Sequence, residues 1–343
     1  MGPSKTKHPF DVRTSNLNRR HFLRNSGAAL AAATLPLGAS YADDKGPRFR
    51  LSLGQWTFHR AFRGAPGVAK RNPLEFPTMA GDLGFEGVDY SGILLGDDHA
   101  NPKKIAELNR RAADAGVHNL LILVDLHDAL GAADAVKRKA NVQKYIPWLE
   151  SAAALGCTGV RINPISDADS SADEQARLLA DGTSQLVEHA VPLKLDVMFE
   201  NHGEGLQTDG AWIASVAKQV DHPRCGTLPD FGNFQKDRKS GEFHDRYAGV
   251  AAMLPFAKGI CAKSHDFDEN GEECFSDYGR LLKMVKDSGY RGWIEVEYEG
   301  PSQSSGGPKR ERVPASPLGE KEGALATKKL LQKHLGTDLK LKG

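Results

Sequence analysis

From about residue 48 onward the chain alternates short apolar runs with longer helical patterns, and it does so eight times. The runs are RFRLSLGQW, GFEGVDY, NLLILVD, GVRINP, LKLDVMFEN, GTLPDFG, GICAKSHDF and RGWIEVEYEG. Amphipathic stretches lie between them. Asn101 to Gly116 carries Ile105, Leu108 and Ala112 on one face and closes on glycine. Lys139 to Gly156 reads the same way, with Pro147 marking a kink or a break. Strands that alternate with helices pair in parallel. Eight such units predict a closed (β/α)8 TIM barrel, a fold of roughly 250 residues plus insertions. The competing doubly wound open sheet lacks support, because no GxGxxG follows the first strand. Residues 62–72 and 301–317 are rich in Gly, Pro and polar residues. Both follow strands, so a barrel places both over its mouth.

The first forty or so residues do not share this rhythm. Asn18-Arg19-Arg20-His21-Phe22-Leu23-Arg24 precedes an alanine-rich run from Gly27 to Leu37, and small residues Ser40 and Ala42 follow. This resembles a twin-arginine export signal, the competing reading being a disordered basic tail. The expectation is a signal over residues 1–42, a single barrel over residues 43–343, and a periplasmic destination.

Bulk properties exclude several classes. Of the 343 residues 40% are hydrophobic and 26% charged, with a formal net charge of +1. That balance leaves no electrostatic footprint for nucleic acid. No apolar run reaches the roughly 18 residues of a spanning helix, so no stable membrane insertion is expected once the signal is cleaved. Cys157, Cys225, Cys261 and Cys274 form no CxxC pair, which removes zinc-ribbon and thioredoxin readings.

Side chains on a barrel strand alternate between the helix layer and the interior. In the last strand Ile294, Val296 and Tyr298 form the apolar set, so Glu295 and Glu297 point inward. The same logic turns Met198, Glu200 and His202 inward on the fifth strand. It turns Cys261, Lys263 and His265 inward on the seventh, and Arg161 and Asn163 on the fourth. Asp230 ends the sixth. Barrel enzymes build their sites at the C-terminal ends of strands. Carboxylates cannot crowd there uncompensated. A divalent cation held by Glu200, Asp230 and Glu297 resolves this with hard oxygen donors suited to Mn2+ or Mg2+. The alternative is a ring of ion pairs with Arg161 and Lys263.

FENHG (Phe199–Gly203), PDFGNF (Pro229–Phe234), AKSHDFD (Ala262–Asp268) and IEVEYEG (Ile294–Gly300) together resemble the sugar phosphate isomerase/epimerase superfamily, the xylose isomerase-like TIM barrels. The resemblance implies one divalent metal held by Glu, Asp, His and Glu from the last four strands, with the glutamates doubling as the acid–base pair. Carried over, Glu200, Asp230 and Glu297 match three ligands. The seventh strand departs from the pattern, since Cys261 stands where members commonly have histidine two residues before a lysine. His265 is then the expected fourth ligand, with a substrate-binding role for it, or for His202, left open. A Cys261 thiolate would draw the preference towards softer ions, so Co2+ and Zn2+ stand behind Mn2+ and Mg2+.

The chemistry implied is proton transfer beside a sugar carbonyl through an enediolate. Glu200 and Glu297 serve as acid and base, and Lys263 or Arg161 steadies the oxyanion. Trp56, His59, Arg161, Asn163 and His202 are the expected substrate grips, with Asn201, Asp89 and Asp125 behind them. A small sugar is the expected partner, with self-association of the chain left open. Rival readings are a lyase or hydratase acting on a keto-sugar or keto-glycoside, and a carbohydrate-binding barrel without catalysis. The related multi-zinc endonucleases want more histidines at strand ends than this chain supplies. Two-metal hydride-shift isomerases want more carboxylates.

Overall fold

The computed structural model describes residues 47–167, 169–300 and 312–340. The expected export signal at residues 1–42 and most of the 301–317 loop lie outside the described residues.

Every expected strand forms. They are β1 (Phe49–Gly54), β2 (Gly87–Ser91), β3 (His118–Val124), β4 (Gly159–Ile162), β5 (Asp196–Glu200), β6 (Cys225–Leu228), β7 (Ile260–Ser264) and β8 (Gly292–Tyr298). All neighbours in this sheet pair in parallel, in the order β6-β5-β4-β3-β2-β1-β8-β7. The seam between β6 and β7 closes through isolated bridges at Thr227–Ala257 and Asp230–Cys261. The Cys261 N–H donates to Pro229 O at 3.0 Å and the Phe231 N–H to Cys261 O at 3.0 Å. The sheet is therefore a nearly closed barrel, and the (β/α)8 expectation holds.

Each strand leads to one principal helix: α1 (Phe76–Asp82), α2 (Pro102–Ala115), α3 (Ala135–Leu155), α4 (Ala172–Ala190), α5 (Gly210–Val220), α6 (Arg246–Met253), α7 (Tyr278–Asp287) and α8 (Glu320–Leu335). The sequence starts most of them with a capping side chain. Asn101, Asp134, Ser171, Asp209, Asp245 and Asp277 each accept from a backbone N–H in the first turn. A cap of this kind contributes about 1 kcal/mol. Gly116 ends α2 at φ 61°, the left-handed value that favours glycine. Pro147 does not break α3, which runs unbroken from Ala135 to Leu155. None of the described helices is long and apolar enough to cross a membrane.

Two apolar cores result. The larger lies between sheet and helices and takes in Ile294, Val296, Tyr298, Val197 and Phe199. The smaller fills the barrel interior with Leu120, Leu121, Leu123, Met198, Leu228 and Cys261, against Trp293. Strand alternation thus assigns the faces as expected: the glutamates of β8 point into the barrel, on the side of Cys261.

Candidate active site

Two layers of buried polar groups stand inside the barrel. The upper one gathers at the C-terminal ends of β4 to β8. Glu200 closes β5 and is 1% exposed. Its Oε2 lies 2.6 Å from Arg161 Nε on β4, an ion pair without hydrogen-bond alignment. Arg161 Nη1 donates to Asp125 Oδ1 at 2.7 Å and to Asn163 Oδ1 at 2.8 Å. Asn163 therefore holds the guanidinium in place.

Across the mouth, Lys263 of β7 extends from a backbone carbonyl fixed by the Tyr278 hydroxyl, which donates to it at 2.7 Å. Lys263 Nζ lies 2.9 Å from Glu297 Oε1, 3.2 Å from Glu299 Oε2 and 3.7 Å from Asp230 Oδ2. The other Asp230 oxygen accepts the N–H groups of Gly232 and Asn233, both at 2.7 Å. Asn201 accepts the Asp230 N–H at 2.8 Å and donates to the carbonyls of Asp230 and Asn233, so it braces the β6 loop. The Asn233 amide reaches Glu200 Oε1 at 3.4 Å.

Charge here follows burial and proximity. Burial pushes the Glu297 carboxyl up to about 8, with the Lys263 ammonium pulling the other way. Asp230 is pushed up to about 7 by burial, again against Lys263. Glu299 goes the opposite way, to about 2, because the Lys263 charge outweighs its burial. Burial holds the Cys261 thiol well above its ordinary value, so it stays protonated.

The expected substrate grips are placed unevenly. Trp56 follows β1, and its indole N–H donates to Glu299 Oε1 at 3.4 Å. The His59 ring stacks on the indole at 4.7 Å, and the Arg63 guanidinium sits 4.7 Å from it. His202 is half-buried just beyond Glu200, and burial lowers its basicity. Asp89 does not end its strand. It lies in the middle of β2, well below the mouth, facing the same small cavity as Ser52 and Glu295.

His265 is not gathered with the other expected ligands. Strand β7 ends at Ser264, so the inward alternation stops one residue before it. The His265 ring packs edge-on against Phe275, with Nδ1 3.3 Å from Gly300 O. Among the described residues, two groups bring candidate ligand atoms within 4.8 Å of one another: Glu200, Asp230 and Cys261, and Cys261, Glu295 and Glu297. The expected set of Glu200, Asp230, His265 and Glu297 is neither of these. Lys263 stands between Asp230 and Glu297, and Arg161 stands on Glu200. A divalent ion that would have to displace these buried cations and share its acids with a sulfur does not fit this donor set.

Two residues were undervalued by sequence reasoning. Glu299 lies just past the end of β8, and its carboxylate turns back onto Lys263. The signal was available, since Glu299 continues the alternation of Glu295 and Glu297. Glu273, in the loop after β7, is buried and accepts the N–H groups of Phe275 and Ser276 at 2.7 Å. No local pattern marks it.

The fold and this centre define a (β/α)8 barrel that gathers buried acids and cations at its C-terminal rim. Residues 78–325 match the family described as xylose isomerase-like TIM barrel, and the chain belongs to that family. Solved structures of similar fold include an L-ribulose 3-epimerase, 14% identical, with TM-score 0.61 over 84% of this chain and 95% of that one. A D-psicose 3-epimerase crystallised with D-fructose is 14% identical, with TM-score 0.59 over 84% and 99%. A 3-keto-D-glucoside 4-epimerase from E. coli is 14% identical, with TM-score 0.54 over 83% and 99%. At such identity these likenesses concern the fold alone. Among curated proteins, the alpha subunit of a 3'-dehydrocarminate deglycosidase from Microbacterium sp is 39% identical over 57 residues. That match spans 17% of this chain and 16% of the relative.

Proposed function

We propose that the chain is a sugar isomerase or epimerase that moves a proton beside a carbonyl through an enediolate. The observation that carries this reading is the pair Glu200 and Glu297. They come from β5 and β8, are almost wholly buried, lie close enough for the Glu200 charge to raise the proton affinity of Glu297, and each faces a fixed cation. Glu297, held near 8, carries a proton at neutral pH and is the acid of the pair. Glu200 is the base: it takes the proton from the carbon next to the carbonyl, and Glu297 returns one to the opposite face or to the neighbouring carbon. Such acid–base help supplies roughly 10²–10⁴-fold. Trp56, His59 and His202 border the space above and bind the sugar's carbons and hydroxyls.

A second reading has one observation in its favour, the local likeness to a deglycosidase subunit. In a lyase the same base breaks the C–H bond beside a keto group. The electron pair forms C=C, the bond to the leaving oxygen breaks, and Glu297 protonates that oxygen. Both readings are tested by incubating the chain in deuterated water with ketoses and keto-glycosides. Deuterium in a recovered isomer supports the first, and a smaller released product supports the second. If no substrate in the panel exchanges or cleaves, both readings fall. We further infer export by the twin-arginine route to the periplasm. Cell fractionation of the Arg19→Lys/Arg20→Lys chain, expected to remain cytoplasmic, tests this.

A further inference from the structure

We propose that the Lys263 ammonium takes the place of a divalent cation in this centre, which therefore works without a metal ion. The catalytic half of the inference rests on the proton-transfer reading above; the ion-binding half does not.

Three acids from two strands converge on one nitrogen. Glu297, Glu299 and Asp230 surround Lys263 Nζ at 2.9, 3.2 and 3.7 Å. Glu200, also an expected ligand, is paired with Arg161 at 2.6 Å. An added ion among these acids would lie against a fixed positive charge that is only 4% exposed, where water screens little. Cys261 would add a sulfur, a soft donor, beside the hard oxygens of such a set.

The backbone is shaped for the lysine. A Cβ on Gly232 would come within 3.0 Å of Lys263 Cγ and Cδ and 3.3 Å of its Cβ. Glycine in the β6 loop thus leaves the channel through which the stem runs. Lys263 is also in register with Glu297 across the β7–β8 pair, so the two heads share one level of the barrel. An ammonium has three N–H donors. Glu297 and Glu299 occupy two directions. Asp230 Oδ2, at 3.7 Å, is beyond hydrogen-bond distance of the ammonium. The third N–H is left for the substrate's carbonyl oxygen. As Glu200 removes the proton, that oxygen gains negative charge, and Lys263 stabilises it as a fixed donor. No electrons leave the substrate, and the proton returns from Glu297.

The test counts metal as well as activity. The full chain is dialysed against Mn2+, Mg2+, Co2+ and Zn2+ in turn, desalted, and assayed by plasma mass spectrometry. Wild type is expected to retain far less than one ion per chain and to keep its proton exchange in EDTA. Lys263→Met leaves three acids facing one another without a cation. It is expected to retain one ion per chain, to melt higher with Mn2+ than without, and to lose about 10²–10³-fold in kcat. One ion per wild-type chain, or exchange abolished by EDTA and restored by Mn2+, overturns the proposal. So does a folded Lys263→Met chain that stays free of metal. If that variant does not fold, the wild-type count decides alone. If no sugar exchanges, the function reading fails while the metal count still judges this one.

Discussion

The barrel holds acids at two levels, and only at the upper one are they paired with cations. At the mouth, Glu200 faces Arg161, and Glu297, Glu299 and Asp230 face Lys263. Below it, Asp89 on β2 and Glu295 on β8 face a small cavity of about 20 Å3, room for one water. Both oxygens of each lower acid lack a hydrogen-bond partner within the protein. Burial drives Asp89 up to about 7 and Glu295 well above its ordinary value. The difference teaches what a barrel interior tolerates. Where β4 and β7 supply a fixed cation the acids are paired with it, and Lys263 holds Glu299 charged while burial still keeps Glu297 near 8. Where no cation arrives, the acid keeps its proton and serves as a polar filler.

The largest effect that could break this comparison is on turnover. Glu200→Gln and Glu297→Gln each remove one proton-transfer group and are expected to lower kcat by roughly 10²–10⁴-fold, with circular dichroism unchanged. Glu295→Gln is expected to leave kcat near wild type, although its carboxyl is on the same face one step lower. Equal losses for the two glutamates of β8 would erase the distinction between the layers. Next comes stability. Arg161→Met strands Glu200 and Asp125 as buried charges and is expected to cost about 3–5 kcal/mol in urea unfolding. The floor has no counterpart, because none of its acids loses a cation.

Part of this contrast is legible in the sequence. Alternation within β8, β5 and β4 turns Glu295, Glu297, Glu200 and Arg161 inward, and all four are there. The failures fall where alternation ends or where pairing is long-range. His265 was extrapolated one residue past the end of β7, where the backbone leaves the strand. Asp89 is among the expected substrate grips, but β2 continues to Ser91 and holds it at the floor. A register shift between Val88 and Asp89, where β2 meets β3, adds an irregularity that no local pattern announces. The choice between a bound ion and a ring of ion pairs turns on whether Lys263 reaches Glu297 and Glu299, which depends on a channel opened by Gly232. One-dimensional spacing does not carry that information.

The third effect is on the pH dependence of stability, where Glu299 at the mouth differs in sign from the floor acids. Asp89 binds its proton more tightly folded than unfolded. Its contribution is present below the ordinary carboxylate value and is lost as pH rises through about 7. Glu295 shares that direction, as do Asp230 and Glu297 at the mouth. Glu299 is the opposite case: its contribution is present above the ordinary value and is lost as pH falls through about 2. Asp89→Asn is therefore expected to flatten the decline in stability between about pH 4 and 7 by a few kcal/mol. Glu299→Gln is expected to leave that decline in place. Urea midpoints at a series of pH values check both, and a decline unchanged in Asp89→Asn would show that the floor acids are not held neutral.

The smallest effects separate the layers most cleanly, because each has its own glycine. A Cβ on Gly54 would fall 2.3 Å from Glu295 Oε1, at the floor, and one on Gly232 would press on the Lys263 stem at 3.0 Å, at the mouth. Neither glycine has a positive φ, so alanine at either position strains contacts and not the backbone. Gly54→Ala must displace a buried carboxyl that has nowhere solvated to go, and is expected to cost about 1–3 kcal/mol of stability with kcat unchanged. Gly232→Ala moves an ammonium by a few tenths of an ångström. A misplacement of about 1 Å at a reacting centre can cost 10²-fold, so this smaller shift is expected to lower kcat several-fold with the urea midpoint near wild type. The two variants, read by both measurements, form a crossed pair. If Gly232→Ala lost stability and kept its kcat, the position of Lys263 would matter to folding alone, and the mouth would be a structural layer like the one beneath it.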